Sequence, residues 1–183
     1  IFVGEGNFEK AEFFLRKSLE INPKDINVLV NLACVLKDLG NSSEAEKFLR
    51  NSLSINPEYE FALINLGAVL NELEKFDEGE NFLRKALKIN PTSSIALNNL
   101  GNILTKKNNH KDAEICYRKA IEVKSDFSLA YNNLGSLMSQ KGNLIEAEKF
   151  TEKAIKYNPK FELAYVNLGS IKIDLDKLQE AEE

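Results

Sequence analysis

Asparagine stands at residues 31, 65, 99, 133 and 167, once in every 34 residues. A carboxamide carries a donor and an acceptor together, so it can engage both the N–H and the C=O of a peptide unit. A row built from Asn31, Asn65, Asn99, Asn133 and Asn167 could hold an extended polypeptide by its backbone, with little preference among side chains. Asn98 and Asn132 thicken the amide band in the middle of the chain, and Asn102 lies in the row beside it. Asparagine costs roughly half a kcal/mol against alanine inside a helix, so five at equivalent positions need a reason. A bond to a neighbouring helix is the structural alternative to peptide contact.

Other chemistry is sparse. The only histidine, His110, follows Asn108 and Asn109 in a turn-like stretch. The two cysteines, Cys34 and Cys116, cannot build a disulfide framework, and no Cys/His cluster has zinc spacing. No phosphate-cradling loop, dinucleotide fingerprint or nucleophile elbow occurs, so the expectation is no catalytic residue, no cofactor and no metal. Lys plus Arg number 24 against 28 Asp plus Glu, a net charge of −4 without the clustered basic footprint of a nucleic-acid binder. The most apolar stretch, residues 26–36, is interrupted by Asn27 and Asn31. It is about half the length that a membrane-spanning helix needs. With no signal-like segment behind Ile1, the expected location is cytoplasmic.

The elements that must position the amides follow from the same period. Pro23, Pro57 and Pro91 are 34 residues apart, and Pro159 lies two periods further on, with Ser125 at the missing step. Leu32, Leu66, Leu100, Leu134 and Leu168 recur in register, each followed by Ala33, Gly67, Gly101, Gly135 or Gly169. Within one period, Leu29, Leu32, Ala33 and Leu36 repeat at helical spacing and predict a first amphipathic helix. Gly40-Asn41 breaks it, Ser42 and Ser43 are candidate N-caps, and Ala45, Phe48, Leu49, Ser52 and Leu53 form the inner face of a second helix. Asn56-Pro57 ends that helix, because a residue before proline is driven out of the α region. Arg16, Arg50, Arg84 and Arg118 each follow a glutamate by four residues, the favoured order for a pair on a solvated helix face.

These residues resemble the tetratricopeptide repeat along the whole chain: Ala-Tyr-Asn-Asn-Leu-Gly at 130–135, Gly-Asn-Leu-Ile-Glu-Ala-Glu at 142–148, Lys-Ala-Ile at 153–155 and Tyr-Asn-Pro at 157–159. The resemblance implies an all-α, right-handed superhelical solenoid of antiparallel helix pairs, with the first helices lining a concave groove. It divides the chain into a partial repeat at 1–25, full repeats at 26–59, 60–93, 94–127 and 128–161, and a truncated repeat at 162–183. Ser125 in place of proline, and Glu74, Asn108 and Asp176 in place of the inter-helix glycine, depart from the pattern and bear on turn geometry. The asparagine row is similar to the ladder in the superhelical region of O-linked N-acetylglucosamine transferases, which recruits protein substrates.

Across the repeats the groove-side residues fall into rows. The first is mostly apolar (Asn27, Phe61, Ile95, Leu129, Leu163), the second is the asparagines, and the third is small or polar (Cys34, Ala68, Asn102, Ser136, Ser170). Positions where co-chaperone repeats carry basic residues hold Val30, Ile64, Asn98, Asn132 and Val166, so a carboxylate clamp is not expected. The expectation is a non-enzymatic interaction module whose partner is a protein or peptide, with no nucleic acid and no membrane. Two alternatives stand beside it: the substrate-recruiting arm of a larger enzyme such as a glycosyltransferase, whose catalytic domain would lie outside this chain, and a scaffold that forms homo-oligomers through uncapped ends.

Overall fold

The structure, a computed structural model, describes residues 8–182, with side chains to residue 176. Its described residues form ten helices and no strand: α1 (Phe8–Ile21), α2 (Ile26–Asp38), α3 (Ser42–Ile55), α4 (Glu60–Glu72), α5 (Phe76–Ile89), α6 (Ser94–Lys106), α7 (His110–Val123), α8 (Ser128–Gln140), α9 (Leu144–Tyr157) and α10 (Glu162–Glu182). Two compact units divide the chain, residues 1–91 and 92–183. In each, a first helix packs on the second helix of its own repeat, which packs on the first helix of the next. First helices also touch one another, α2 against α4 in one unit and α6, α8 and α10 in series in the other. None of the described helices is long and apolar enough to cross a membrane.

The core sits between paired helices. Leu29, Leu32, Ala33 and Leu36 of α2 are buried, as are Ala45 and Leu49 of the α3 helix that packs on it. Small residues let the axes approach: a Cβ on Gly67 would come within 2.5 Å of Leu83 Cγ, and one on Gly101 within 2.5 Å of Tyr117 Cε1. Neither neighbour could make room without leaving its packed rotamer.

Turn geometry repeats even where sequence departs. Gly40 and Gly142 have φ of 82° and 77°, and Glu74 and Asn108 keep the same left-handed conformation at 58°. The next amide in each turn reaches back five residues, as in Asn41 N–H to the Leu36 carbonyl (2.7 Å) and Lys75 N–H to the Leu70 carbonyl (2.8 Å). This Schellman-type closure satisfies carbonyls at the helix end, and it holds Glu74 in a conformation that costs a non-glycine residue about 1–2 kcal/mol. At the other turn, Lys124 before Ser125 is extended (φ −129°, ψ 94°), as Asn56 is before Pro57 (φ −133°, ψ 97°). The missing proline therefore leaves that turn intact.

Two sequence expectations need correction or extension. The residue at the cap of α3 is Asn41, without a side-chain cap bond, while Ser42 begins the helix and donates its hydroxyl to Glu72. A true side-chain cap occurs at α2, where Asp25 accepts from the amides of Asn27 (3.0 Å) and Val28 (3.2 Å). The arginines do pair with the glutamates four residues before them, as in Arg16–Glu12 (2.8 Å) and Arg118–Glu114 (2.9 Å). They also bridge repeats: Arg16 meets Glu44 at 2.9 Å and Arg50 meets Glu78 at 2.7 Å. Arg16, Arg50 and Arg118 lie over Phe48, Phe82 and Phe150 of the following second helix. Lys75 reaches Glu46, and Lys141 reaches Glu114, each at 2.7 Å. Each exposed pair is worth a few tenths of a kcal/mol, but the ladder fastens neighbouring second helices at a repeating contact.

Candidate functional site

Heptad-like spacing on the first helices places the three rows on one stripe, because residues three and four apart share a helix face. In the unit of residues 92–183, α6, α8 and α10 set these stripes side by side. Its apolar row is exposed: Ile95 (55%), Leu129 (47%) and Leu163 (53%). Asn99, Asn133 and Asn167 run beside it, half-buried, with Asn102 and Ser136 also half-buried and Ser170 exposed. An exposed isoleucine or leucine recurring at one repeat position, flanked by amides, offers an apolar strip with a polar edge.

The amides do not stand alone. Asn133 directs its Nδ2 to the carbonyl oxygens of Asn98 (3.0 Å) and Asn102 (2.9 Å). Asn167 directs its Nδ2 to the carbonyl oxygen of Asn132 at 2.9 Å. Asn98 and Asn132 are only 4% and 2% exposed, one layer beneath the row. The sequence reading set them in the same contact band; the helix turn instead aims them between first helices, where they support the outer amides. Asn102 is fixed from behind, since Tyr117 donates its hydroxyl to the Asn102 carbonyl oxygen at 2.8 Å. The Tyr117 hydroxyl is also 3.2 Å from Thr105 Oγ1, which donates to the Gly101 carbonyl. Burial pushes the Tyr117 phenol up to about 12, partly opposed by its bond with Thr105.

In the unit of residues 1–91 the layer below is apolar. Val30 and Ile64 occupy the positions equivalent to Asn98 and Asn132, and both are buried. Asn65 turns its Nδ2 to the Phe61 carbonyl of its own helix (2.8 Å), and its carbonyl oxygen accepts from the Cys34 thiol (3.4 Å). Asn31 is exposed on α2, and Asn27 beside it accepts from the Tyr59 hydroxyl at 2.6 Å. Phe61 is 62% exposed, at the position of Ile95 and Leu129. Burial raises the Cys34 thiol above its ordinary value, which suits a packed small residue and not a thiolate. Cys116 is buried on α7. His110 begins α7, its Nδ1 buried without a partner. Among the described residues no group of three or more His, Cys, Asp or Glu could hold a metal ion.

The supporting Asn98 and Asn132 could have been separated from the contact row by helical phase alone. They stand one residue before Asn99 and Asn133, a rotation of about 100° toward the packed side. The Tyr117 link was not readable, because it joins a second helix to a groove-side residue 15 positions away.

Comparison with known proteins agrees with the helix-pair fold. Tetratricopeptide repeat family models match residues 2–70, 59–126 and 116–149. No curated protein matches the chain in sequence. Among solved structures, TTC0263, a thermophilic repeat protein of Thermus thermophilus, is 20% identical with a TM-score of 0.86, over 94% of each chain. MamA is 25% identical with a TM-score of 0.69, over 86% of this chain and 92% of its own. YrrB, described as a repeat protein with an unusual peptide-binding site, is 22% identical with a TM-score of 0.62, over 88% of this chain and 84% of its own.

Proposed function

Because the chain belongs to the tetratricopeptide repeat family, we propose that it is a protein-interaction module that holds an extended peptide along the stripe formed by its first helices. The observation that carries this reading is the pairing of two rows in residues 92–183. Ile95, Leu129 and Leu163 expose apolar surface, and Asn99, Asn133 and Asn167 line its edge. An extended strand alternates its side chains and displays backbone groups between them. Apolar side chains would rest on the first row while the amides engage the backbone. This division of labour gives affinity without a strict sequence requirement, as in other recognition modes that read the main chain. On α2 and α4, Asn31 and Phe61 are exposed in the same rows, but Asn65 is spent on the Phe61 carbonyl and the Cys34 thiol, so the reading is made for residues 92–183.

The test begins with an end-capped random dodecapeptide library selected on the immobilised full chain. Affinity of the selected peptides is then measured for the chain carrying Asn99→Ala, Asn133→Ala and Asn167→Ala together. Alanine raises helix propensity, so the helices should persist, which circular dichroism checks. Each lost contact should cost about 1 kcal/mol, giving on the order of a hundredfold weaker binding for the triple variant. Unchanged affinity in a fully helical variant rejects the reading.

A further inference from the structure

We infer that Asn133 and Asn167 form a one-way comb: each gives its nitrogen to the layer beneath and offers its carbonyl oxygen to the guest. The inference rests on the peptide reading above and narrows it to a guest that presents hydrogen-bond donors, namely the backbone N–H groups of an extended strand. Both N–H bonds of the Asn133 amide have acceptors, Asn98 at 3.0 Å and Asn102 at 2.9 Å. The Asn167 amide donates to Asn132 at 2.9 Å. No described residue donates to the carbonyl oxygen of Asn133 or of Asn167. In a planar carboxamide the oxygen and nitrogen diverge from one carbon, so with the nitrogen bonded to the protein the oxygen is the group left to accept from a guest.

The orientation has a physical cause in the layer beneath. Asn98 and Asn132 are buried and need their carbonyl oxygens satisfied, since an unpaired buried acceptor carries the full desolvation penalty. The row above supplies that donor. Tyr117 acts as a positioning residue: its hydroxyl donates to the Asn102 oxygen from behind, so Asn102 presents an acceptor to Asn133 and not a donor. Both consecutive amides therefore point the same way, one repeat apart. In residues 1–91 the equivalent positions are Val30 and Ile64, and Asn65 spends its nitrogen on its own helix and its oxygen on a thiol. The comb is a property of the repeats that carry the second amide layer.

The test uses the full chain in two arms. In the free protein, nuclear magnetic resonance should find the Asn133 side-chain amide protons slowed in hydrogen exchange by about tenfold or more relative to exposed Asn31. Tyr117→Phe should shift the Asn133 amide resonances, whereas Tyr165→Phe should leave them in place. Asn133 protons that exchange as fast as those of Asn31 overturn the inference. In the second arm, dodecapeptides whose binding depends on Asn133 and Asn167 are scanned by replacing each backbone amide with an ester. An ester removes the N–H and sets an oxygen against the comb, so at one or two positions affinity should fall by about tenfold or more. In Asn132→Val, which copies the residue at the equivalent position in α2, the Asn167 amide is freed and the penalty at one of those positions should shrink. A flat ester scan with asparagine-dependent binding overturns the comb and leaves the peptide reading standing. Failure of the library to yield any asparagine-dependent peptide overturns both.

Discussion

Replacing Tyr117 with phenylalanine removes a single oxygen from the middle of the polar layer and keeps the ring that packs on Gly101. Tyr117 is 2% exposed, its hydroxyl donates to Asn102 at 2.8 Å and lies 3.2 Å from Thr105. Asn102 retains the donor from Asn133, and the Thr105 hydroxyl retains the Gly101 carbonyl, so no acceptor is orphaned. The loss is then one buried neutral hydrogen bond, about 1 kcal/mol, or a fall of roughly 2–4 °C in melting temperature for a chain of this size. A second consequence appears in alkali. The phenol is raised from its ordinary value of 10.0 to about 12 by burial. A raised folded-state value means that the stabilisation is complete below about pH 10 and disappears as pH climbs through about 12. A two-unit shift corresponds to a loss on the order of 2–3 kcal/mol across that window, which Tyr117→Phe should abolish. Urea unfolding followed by circular dichroism, repeated from about pH 7 to pH 12, measures both effects, and phenolate absorbance reports the ionisation itself. A variant with unchanged stability at neutral pH and an unchanged alkaline slope would refute the buried hydrogen-bond account.

Other consequences follow from single sites. Ser52→Ala should stabilise the chain by about 1 kcal/mol, because the Ser52 hydroxyl is fully buried without a partner and alanine fills the equivalent positions 86, 120 and 154; a lower urea midpoint would contradict this. Glu74→Gly should stabilise by roughly 0.5–1 kcal/mol, the left-handed strain relieved at φ 58° less the extra freedom of glycine in the unfolded chain. The same exchange at Asn108 should gain less, since asparagine tolerates that conformation better. In acid, the carboxyls of Glu46 and Glu114 sit below their ordinary value. For Glu46 burial acts upward and is outweighed by hydrogen bonds from Lys75 and Arg50; for Glu114 the bond from Lys141 leads. Their stabilisation is present above about pH 4.3 and is lost as pH falls through the lower folded-state values. Lys141→Met should therefore flatten the acid limb of a melting-temperature profile.

The prolines and the Leu-small pairs made the repeat legible because every helix pair must solve the same packing problem. Leu32 and Leu66 are buried as that period requires, and Gly67 faces Leu83 where the helices come closest. The pairs of Arg16 with Glu12 and Arg50 with Glu46 follow from helical spacing alone. Their second partners, Glu44 and Glu78, do not, because a contact 28 residues away depends on how successive second helices stack. Turn shape at Glu74 was hidden for a different reason: left-handed backbone is signalled by glycine, and here the Schellman closure imposes it on a residue that does not favour it. At the candidate site, the row itself could be read from the period, whereas its polarity could not. Which end of the Asn133 amide faces outward is decided by Asn98 and Asn102 of the preceding first helix, and through Asn102 by Tyr117.

The proposed binding stripe is tested most directly by photo-crosslinking a library-selected, end-capped dodecapeptide to the full chain carrying a benzophenone side chain at one of two sites. Ser136 lies in the row beside Asn133 on α8, and Lys119 is exposed on the second helix α7. Capture of the peptide at 136 and not at 119, suppressed by Asn99→Ala, Asn133→Ala and Asn167→Ala together, is the result expected. Capture at 119 with none at 136 would contradict the account.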